Sequence, residues 1–269
     1  MREGPSFEPG FRFPERRIVR SPEYQRERLT VSGVAPEVWG RVSEPVLWAL
    51  EGFRSMTEAG QDIDGYVHVE QRLRQVEPVP VGETVTFCGV TVGLDPVPRG
   101  RHLVQRFQVV RDDGRVAVVA EHVGLMPDPE RMGGGGGRVA APQQMEPLAE
   151  KRLTPDQVRV FSGDVGNEIH FDPDFAARYG YRAPLAQGLM TMLWMVGQLA
   201  AETGPGTPLD VVARFRRPVF WDDRMELLGR RSAGGRLVRL ETRNDAARTT
   251  AELDIAELDV AGPDAGGRA

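Results

Sequence analysis

The chain has 269 residues, of which 40% are hydrophobic and 27% are charged, a composition typical of folded globular proteins. Its formal net charge is −5, which argues against a protein that binds nucleic acid through a positive surface. Cys88 is the only cysteine, so an internal disulfide is excluded. The sequence has no apolar leader and no long apolar run, so we expect a soluble, cytoplasmic protein with no membrane partner.

The first half predicts one helix followed by a series of strands. Residues 1–20 are rich in proline, arginine and glycine and predict an irregular lead-in. Apolar residues spaced three and four apart predict an amphipathic helix over 45–59, which Gly60 would end. Alternating runs with a hairpin turn at Asp112-Asp113-Gly114 predict strands at 66–73, 84–92, 102–110 and 116–125. This order predicts an α+β layer in which the helix packs on a curled antiparallel sheet.

The second half repeats this order after a change in composition. Residues 127–147 contain four prolines and five consecutive glycines, which predicts a linker between two folded halves. A helical pattern at 186–203 is then followed by strand patterns at 209–216, 224–232, 237–244 and 251–260. The predicted division is therefore a first half, a linker, a second half and a tail, at residues 1–126, 127–147, 148–261 and 262–269.

Matching residues in a shared order indicate an internal duplication. Pro78-Val79 matches Pro218-Val219, and Ser32-Gly33 matches Ser162-Gly163. If Pro45 is also matched with Pro184, the segment after the serine is 22 residues long in the second half and 13 in the first. Trp48-Ala49 then takes the place of Gln187-Gly188. The longer segment contains His170 and has no counterpart, so if the second half is catalytic, the first is not.

The longer segment contains residue types suited to acid–base chemistry. Asp164, Asn167 and His170 lie on one short polar turn, just before an apolar helix that begins near Gly188. A carboxylate and an imidazole can share one water molecule and divide its proton transfers. The first N–H groups of a helix lack partners within the helix, so Gly188 offers a donor to a negative oxygen. The alternative is purely structural: Asp164 caps a turn, His170 satisfies a buried loop and Gly188 allows close packing.

Residues 161–190 resemble the signature of the MaoC-like dehydratases, the R-specific enoyl-thioester hydratases of the hotdog fold. The resemblance rests on Ser162-Gly163-Asp164, Asn167, His170, Asp172-Pro173 and Gln187-Gly188-Leu189. It implies a double hotdog with a degenerate N-terminal half. The family separates its Asp and His by five positions, whereas Asp164 and His170 are six apart. Two outcomes are open: Gly166 absorbs the extra residue in an unusual backbone conformation, or Asp164 is displaced from the site.

The resemblance also implies an activity. This is the addition or removal of water at the 2,3-position of an acyl thioester, in fatty acid or polyketide metabolism, without a metal or redox cofactor. The acyl group would be carried on coenzyme A or on an acyl carrier protein. Asp164 would act as the principal base toward water, His170 as the acid and Gly188 as the oxyanion donor.

Other residues are candidates for substrate contact. Asn167, Gln187 and Ser162 lie within the signature, and Arg214, Arg216 and Arg217 could meet the phosphates of coenzyme A or phosphopantetheine. Trp39, Trp48, Phe53 and Met56 are expected in the core, where some of them could line an acyl tunnel. The sequence leaves open thioester hydrolysis, a biosynthetic cyclisation or a non-catalytic acyl-binding subunit, and it is compatible with a homodimer.

Overall fold

The computed structural model describes residues 7–61, 66–128, 145–163 and 165–256. The first half consists of β1 (Arg12–Val19), α1 (Pro22–Val31), α2 (Val46–Glu58), β2 (Val67–Gln75), β3 (Thr84–Val97), β4 (Gly100–Val110) and β5 (Val116–Pro127). The second half consists of β6 (Glu146–Arg152), α3 (Pro155–Ser162), α4 (Pro173–Arg178), α5 (Gly188–Thr203), β7 (Leu209–Phe215), β8 (Arg224–Arg231), β9 (Leu237–Asn244) and β10 (Thr249–Ile255). Apart from α4, the two halves have the same order of elements.

The described strands form one ten-stranded antiparallel sheet in the order β1-β3-β4-β5-β2-β7-β10-β9-β8-β6. The order is symmetric about the β2–β7 pair, where the halves join and Leu73 lies opposite Val211. Helix α2 packs on β1, β4 and β5, α5 packs on β9 and β10, and the two helices contact each other. The predicted α+β double hotdog is confirmed.

The two central helices are buried because their sequences are apolar on nearly every side. In α5 every residue from Leu189 to Gly197 is buried. The predicted core residues Trp39, Trp48, Phe53 and Met56 are buried as well. No helix in the described part of the chain is long and apolar enough to cross a membrane.

The lead-in was predicted as irregular, and for residues 12–19 this is wrong. These residues form edge strand β1, which pairs with β3. Only Phe13 is buried in it, so the sequence lacks the alternation that identifies a half-buried strand. Pro14 falls at a break in the register between Phe13 and Arg16, a place where an edge strand tolerates proline.

The predicted linker is only partly described. Strand β5 extends to Pro127, and β6 already begins at Glu146. Residues 129–144 lie outside the described residues, as does the predicted tail at 262–269.

Backbone contacts show which positions of the two halves are equivalent. Ser43 N–H donates to the carbonyl of Val79 at 2.7 Å, and Ala186 N–H donates to the carbonyl of Val219 at 2.8 Å. The isolated bridges Val42–Pro80 and Leu185–Phe220 are equivalent in the same way. The predicted match of Val79 with Val219 is therefore confirmed, and Ser43 is the counterpart of Ala186.

The same contacts correct the rest of the sequence match. With Ser43 equivalent to Ala186, Pro45 is the counterpart of Gly188, so its match with Pro184 is wrong by four positions. For the same reason Trp48-Ala49 does not take the place of Gln187-Gly188. From Ser162 to Ala186 is 24 positions, and from Ser32 to Ser43 is 11, so the extra segment of the second half is longer than predicted.

Candidate active site

A cavity of about 550 Å³ lies between the two halves. Its second-half wall includes six candidates predicted from the sequence, namely Asn167, His170, Gln187, Gly188, Arg216 and Arg217. Its first-half wall includes Phe53, Tyr66, His68 and Leu125. The candidate acid–base residue and the start of the central helix α5 thus face the same cavity.

His170 is held in the cavity wall by the turns on either side of it. It ends a short 3-10 helix (Glu168–His170), in which the Asn167 side-chain oxygen accepts a hydrogen bond from Ile169 N–H at 3.1 Å. Asp172 then caps α4 by accepting hydrogen bonds from Asp174 N–H and Phe175 N–H at 2.8 and 3.2 Å. These caps satisfy backbone donors that the short elements leave without partners, and so they fix the loop. Asn167 therefore acts as a turn residue as well as lining the cavity.

The protonation state of His170 follows from its contacts. Nδ1 lies 2.7 Å from the Leu185 carbonyl oxygen, which can only accept, so Nδ1 carries the proton. Burial lowers the pKa of His170 to about 4, although the hydrogen bond to Leu185 opposes this shift. At neutral pH the ring is therefore uncharged, and Nε2 has a free lone pair. In this state His170 can accept a proton but has none to give from Nε2.

The backbone next to the predicted catalytic aspartate has the conformation that the spacing suggested. Gly166 has φ +67°, in the left-handed region that favours glycine, so the unusual backbone that the first outcome requires is present at this residue. Val165 and Asn167, on either side of Gly166, both line the cavity. Asp164 itself lies outside the described residues, and its part in the site stays a prediction.

The start of α5 presents backbone and side-chain donors to the cavity. Gln187 precedes the helix and makes no side-chain cap, and within the described chain the Gly188 N–H has no acceptor. Gln187 is only 6% exposed, and its Nε2 has no partner among the described residues. The positive end of the helix dipole adds to the preference of this place for a negative oxygen.

Glycine at position 188 is also required by packing. A Cβ atom there would lie 2.9 Å from the ring of Phe215, closer than carbon atoms normally approach. The two interpretations of Gly188, as an oxyanion donor and as a packing residue, are thus compatible. Both follow from the close approach of α5 to β7.

Two of the three candidate arginines line the cavity and one does not. Arg217 lines the cavity and donates to the Thr249 carbonyl at 2.7 Å, whereas Arg216 lines it but pairs with Glu252 at 2.7 Å. Arg214 is not part of the wall, and it forms ion pairs with Glu70 and Asp254 at 3.0 and 2.5 Å. Ser162 is fully buried in α3 and is also absent from the wall. The structure therefore brings Arg217 to the site, and it does not bring Arg214 or Ser162 there.

Sequence reasoning missed most of the first-half wall. Tyr66 lies just before β2 and His68 lies at its start, and both reach the cavity because β2 pairs with β7, more than a hundred positions away in the chain. Phe53 is the one member of the predicted acyl-tunnel set on the wall; Trp39, Trp48 and Met56 are in the core. The internal duplication could have indicated these residues, because two equivalent halves place β2 and β7 side by side where the halves meet.

Comparison with known proteins adds to this geometry. Residues 139–252 match the model of the family described as MaoC like domain. The chain carries a MaoC-like domain. That domain contains His170, Gly188 and the rest of the second-half wall.

One curated relative is similar to part of the chain. The peroxisomal multifunctional enzyme type 2 of Drosophila melanogaster is 23% identical over 180 residues, which cover 62% of this chain. The chain spans only 30% of the length of that curated relative.

Solved structures share the fold over most of this chain. HtdX from Mycobacterium tuberculosis superposes with a TM-score of 0.74 at 22% identity, covering 90% of this chain and 98% of that one. A conserved hypothetical protein from the same organism, described as a double hotdog, gives a TM-score of 0.63 at 16% identity and covers 94% and 97%. At these identities the likeness concerns the fold alone.

Proposed function

We propose that this protein adds water to, or removes it from, the 2,3-position of an acyl thioester. One observation carries the proposal: the unprotonated Nε2 of a neutral His170 and the Gly188 N–H, which has no acceptor among the described residues, belong to the same cavity wall. Hydration of an enoyl thioester needs a proton acceptor for water and a donor to the thioester oxygen. The match of residues 139–252 to the MaoC like domain supports this choice of reaction.

The proton transfers can be assigned to these groups. As the water oxygen attacks C3 of the enoyl thioester, one water proton passes to His170 Nε2. The electron pair of the 2,3-double bond moves toward the thioester carbonyl, and the Gly188 N–H stabilises the resulting enolate oxygen. The His170 imidazolium then returns its proton to C2, which gives the 3-hydroxyacyl thioester and restores the neutral ring. Dehydration follows the same steps in reverse.

This assignment differs from the roles of Asp164 and His170 that the resemblance implied. There Asp164 was the principal base and His170 the acid, but a ring that is neutral at rest must gain a proton before it can deliver one. We therefore give His170 both transfers, in sequence. Asp164 keeps a proposed role as the carboxylate that holds the attacking water and supports the imidazolium.

The thioester carrier would be held at the arginine side of the cavity. Arg217 and Arg99 line the wall from the two halves, and a guanidinium binds phosphate oxygens with paired hydrogen bonds. We propose that these two residues contact the phosphates of coenzyme A or of carrier-protein phosphopantetheine. The acyl chain would extend toward the apolar first-half residues Phe53 and Leu125.

An assay with crotonyl-CoA and longer enoyl-CoA substrates tests the proposal. The conjugated thioester absorbance should fall while the thioester itself stays intact, and His170→Ala and Asp164→Asn should each slow this loss. Hydration that survives both changes would contradict the proposed site. Release of free thiol would indicate a thioesterase instead, and binding without turnover would indicate a non-catalytic acyl-binding subunit.

A further inference from the structure

The first-half wall of the cavity contains two buried polar atoms that the protein leaves without partners. Neither the Tyr66 hydroxyl oxygen nor His68 Nε2 has a hydrogen-bond partner within the described residues. Both side chains line the cavity, together with apolar residues such as Phe53 and Leu125. A buried polar group without a partner costs about 1–3 kcal/mol, so a partner from the cavity would be favourable.

The two side chains lie on the same face of the sheet. Tyr66 immediately precedes β2, and His68 is the second residue of that strand. His68 lies opposite Gly124 on β5, and the Tyr66 ring occupies the space where a side chain at position 124 would be. Both rings also pack against Phe53, with centroid separations of 6.3 and 5.2 Å. Gly124 thus makes room for a tyrosine beside a histidine.

His68 is fixed in place as a hydrogen-bond acceptor. Its ring lies 5.3 Å from that of His122 and 4.8 Å from that of Phe215, measured between centroids. Burial lowers the pKa of His68 to about 3, and a hydrogen bond to the backbone of Glu70 opposes this shift. A bond that favours the charged ring is one in which the ring N–H donates, so the remaining nitrogen, Nε2, accepts. Tyr66 can both donate and accept.

Phe215 connects this polar pair with the reacting end of the cavity. The edge of its ring faces the Gly188 backbone, while the same ring packs against His68. An acyl chain whose thioester oxygen meets the Gly188 N–H can therefore run along Phe215 toward Tyr66 and His68.

We propose that the acyl chain of the natural substrate carries a hydroxyl group that donates to His68 Nε2 and accepts from the Tyr66 hydroxyl. This inference rests on the proposed function, since it takes the thioester to lie at Gly188. A hydroxyl group satisfies both atoms, a ketone satisfies only Tyr66, and an alkyl chain satisfies neither. The expected order of preference is therefore hydroxyl, then oxo, then alkyl.

Binding measurements on saturated acyl-CoA compounds test this order without requiring turnover. Calorimetry would compare terminal hydroxyl, oxo and methyl forms over a series of chain lengths. At the best length, the wild type should bind the hydroxyl form about 5- to 150-fold more tightly than the alkyl form, the range that one unsatisfied polar group corresponds to. Tyr66→Phe and His68→Phe should each reduce this ratio, while Tyr181→Phe, which changes another cavity tyrosine, should retain it.

The possible results separate this inference from the proposed function. If the wild type shows no preference at any chain length, or if the preference survives both first-half variants, the inference is wrong. If the variants do not fold, the comparison of ligands on the wild type alone decides whether the inference holds. If the hydroxyl form binds preferentially but no enoyl thioester is hydrated, the recognition site stands and the proposed reaction fails.

Discussion

The two central helices begin at equivalent places in the two halves, but their first residues have opposite chemistry. Helix α5 follows Gln187 and begins with Gly188, whose N–H has no acceptor in the described structure. Helix α2 follows Glu44-Pro45, and proline has no N–H to offer. A Glu44 carboxyl oxygen instead accepts a hydrogen bond from Leu47 N–H at 2.9 Å. One helix start is open to a ligand, and the other is closed by its own side chain.

This difference teaches how one scaffold can support a site in only one of its copies. The sheet positions both helix starts through the same backbone contacts, so the fold alone does not decide which half works. The second half adds the segment that carries His170, whereas the first half has no such segment and buries the carboxyl group of Glu44 at the position equivalent to Gln187. Burial raises the pKa of Glu44 to about 8, against the opposing backbone hydrogen bonds and the charge of Arg20. The first half thus keeps the architecture while lacking both groups that the proposed reaction uses.

Removal of His170, the proposed proton acceptor of the second half, should have the largest effect on the rate of hydration. His170→Ala should lower kcat for enoyl-thioester hydration by about 10²–10⁴-fold, the usual contribution of general acid–base catalysis. The matched control is His102→Ala, which changes a histidine on β4 that does not line the cavity. Steady-state rates measured by thioester absorbance check both variants, and equal losses in the two would show that His170 has no specific role.

The second test replaces Gly188 with proline, the residue that the first half has at the equivalent position. Gly188→Pro removes the N–H, and the extended backbone of Gln187, at φ −63° and ψ 142°, is compatible with a following proline. Gly188→Ala is the control, because its Cβ meets Phe215 in the same way but the N–H remains. We expect kcat of the proline variant to be about 10²–10³-fold below that of the alanine variant. Equal rates would mean that the Gly188 N–H does not stabilise the enolate.

The buried carboxyl of the first half should make stability depend on pH. The folded pKa of Glu44, about 8, lies above the ordinary value of 4.5, so the folded protein holds a proton that the unfolded chain releases. The stability that this proton contributes is therefore fully present below about pH 4.5 and is lost as pH rises toward about 8.

Glu44→Gln should remove this dependence while keeping an acceptor for Leu47 N–H. Relative to the variant, the wild type should lose on the order of 3 kcal/mol of unfolding free energy between about pH 5 and about pH 9. Urea unfolding at several pH values measures the difference, with the exposed Glu23→Gln as control. Parallel pH curves for wild type and Glu44→Gln would show that the folded protein does not hold the proton on Glu44.

The smallest expected effect concerns the carrier of the acyl group. Arg217→Ala should raise KM for enoyl-CoA by about tenfold, since a hydrogen bond to a charged group contributes about 1.5–3 kcal/mol, and should leave kcat less affected. Arg214→Ala is the control, because that side chain is paired within the sheet. The increase should be smaller at high salt, which weakens the charged contact in the wild type. A KM that rises equally in both variants would rule out a specific phosphate contact at Arg217.

Elements with a strong local pattern could be predicted from the sequence. The apolar spacing that predicted a helix at 45–59 corresponds to α2 at Val46–Glu58, and the turn at Asp112-Asp113-Gly114 joins β4 and β5 as expected. Such features depend on neighbouring residues. Strand β1 could not be found in this way, because it buries only Phe13 and leaves no alternation to read.

The site required information that a linear sequence does not carry. His170 and Gly188 were found because the signature is local, whereas Tyr66 and His68 reach the cavity only through the pairing of β2 with β7. Ser162 belongs to the same signature but turns into the core from α3. The match of Pro45 with Pro184 relied on residue identity, although backbone contacts make Pro45 the counterpart of Gly188.

Hydration in heavy water tests the central claim most directly. A 2-enoyl-CoA would be incubated with the wild-type protein in D₂O and the product examined by NMR. We predict an intact 3-hydroxyacyl thioester with one deuterium at C2, because the deuteron that His170 Nε2 removes from the attacking D₂O is the one that it then delivers to C2. Unchanged enoyl thioester, or free thiol with no label at C2, would contradict the account.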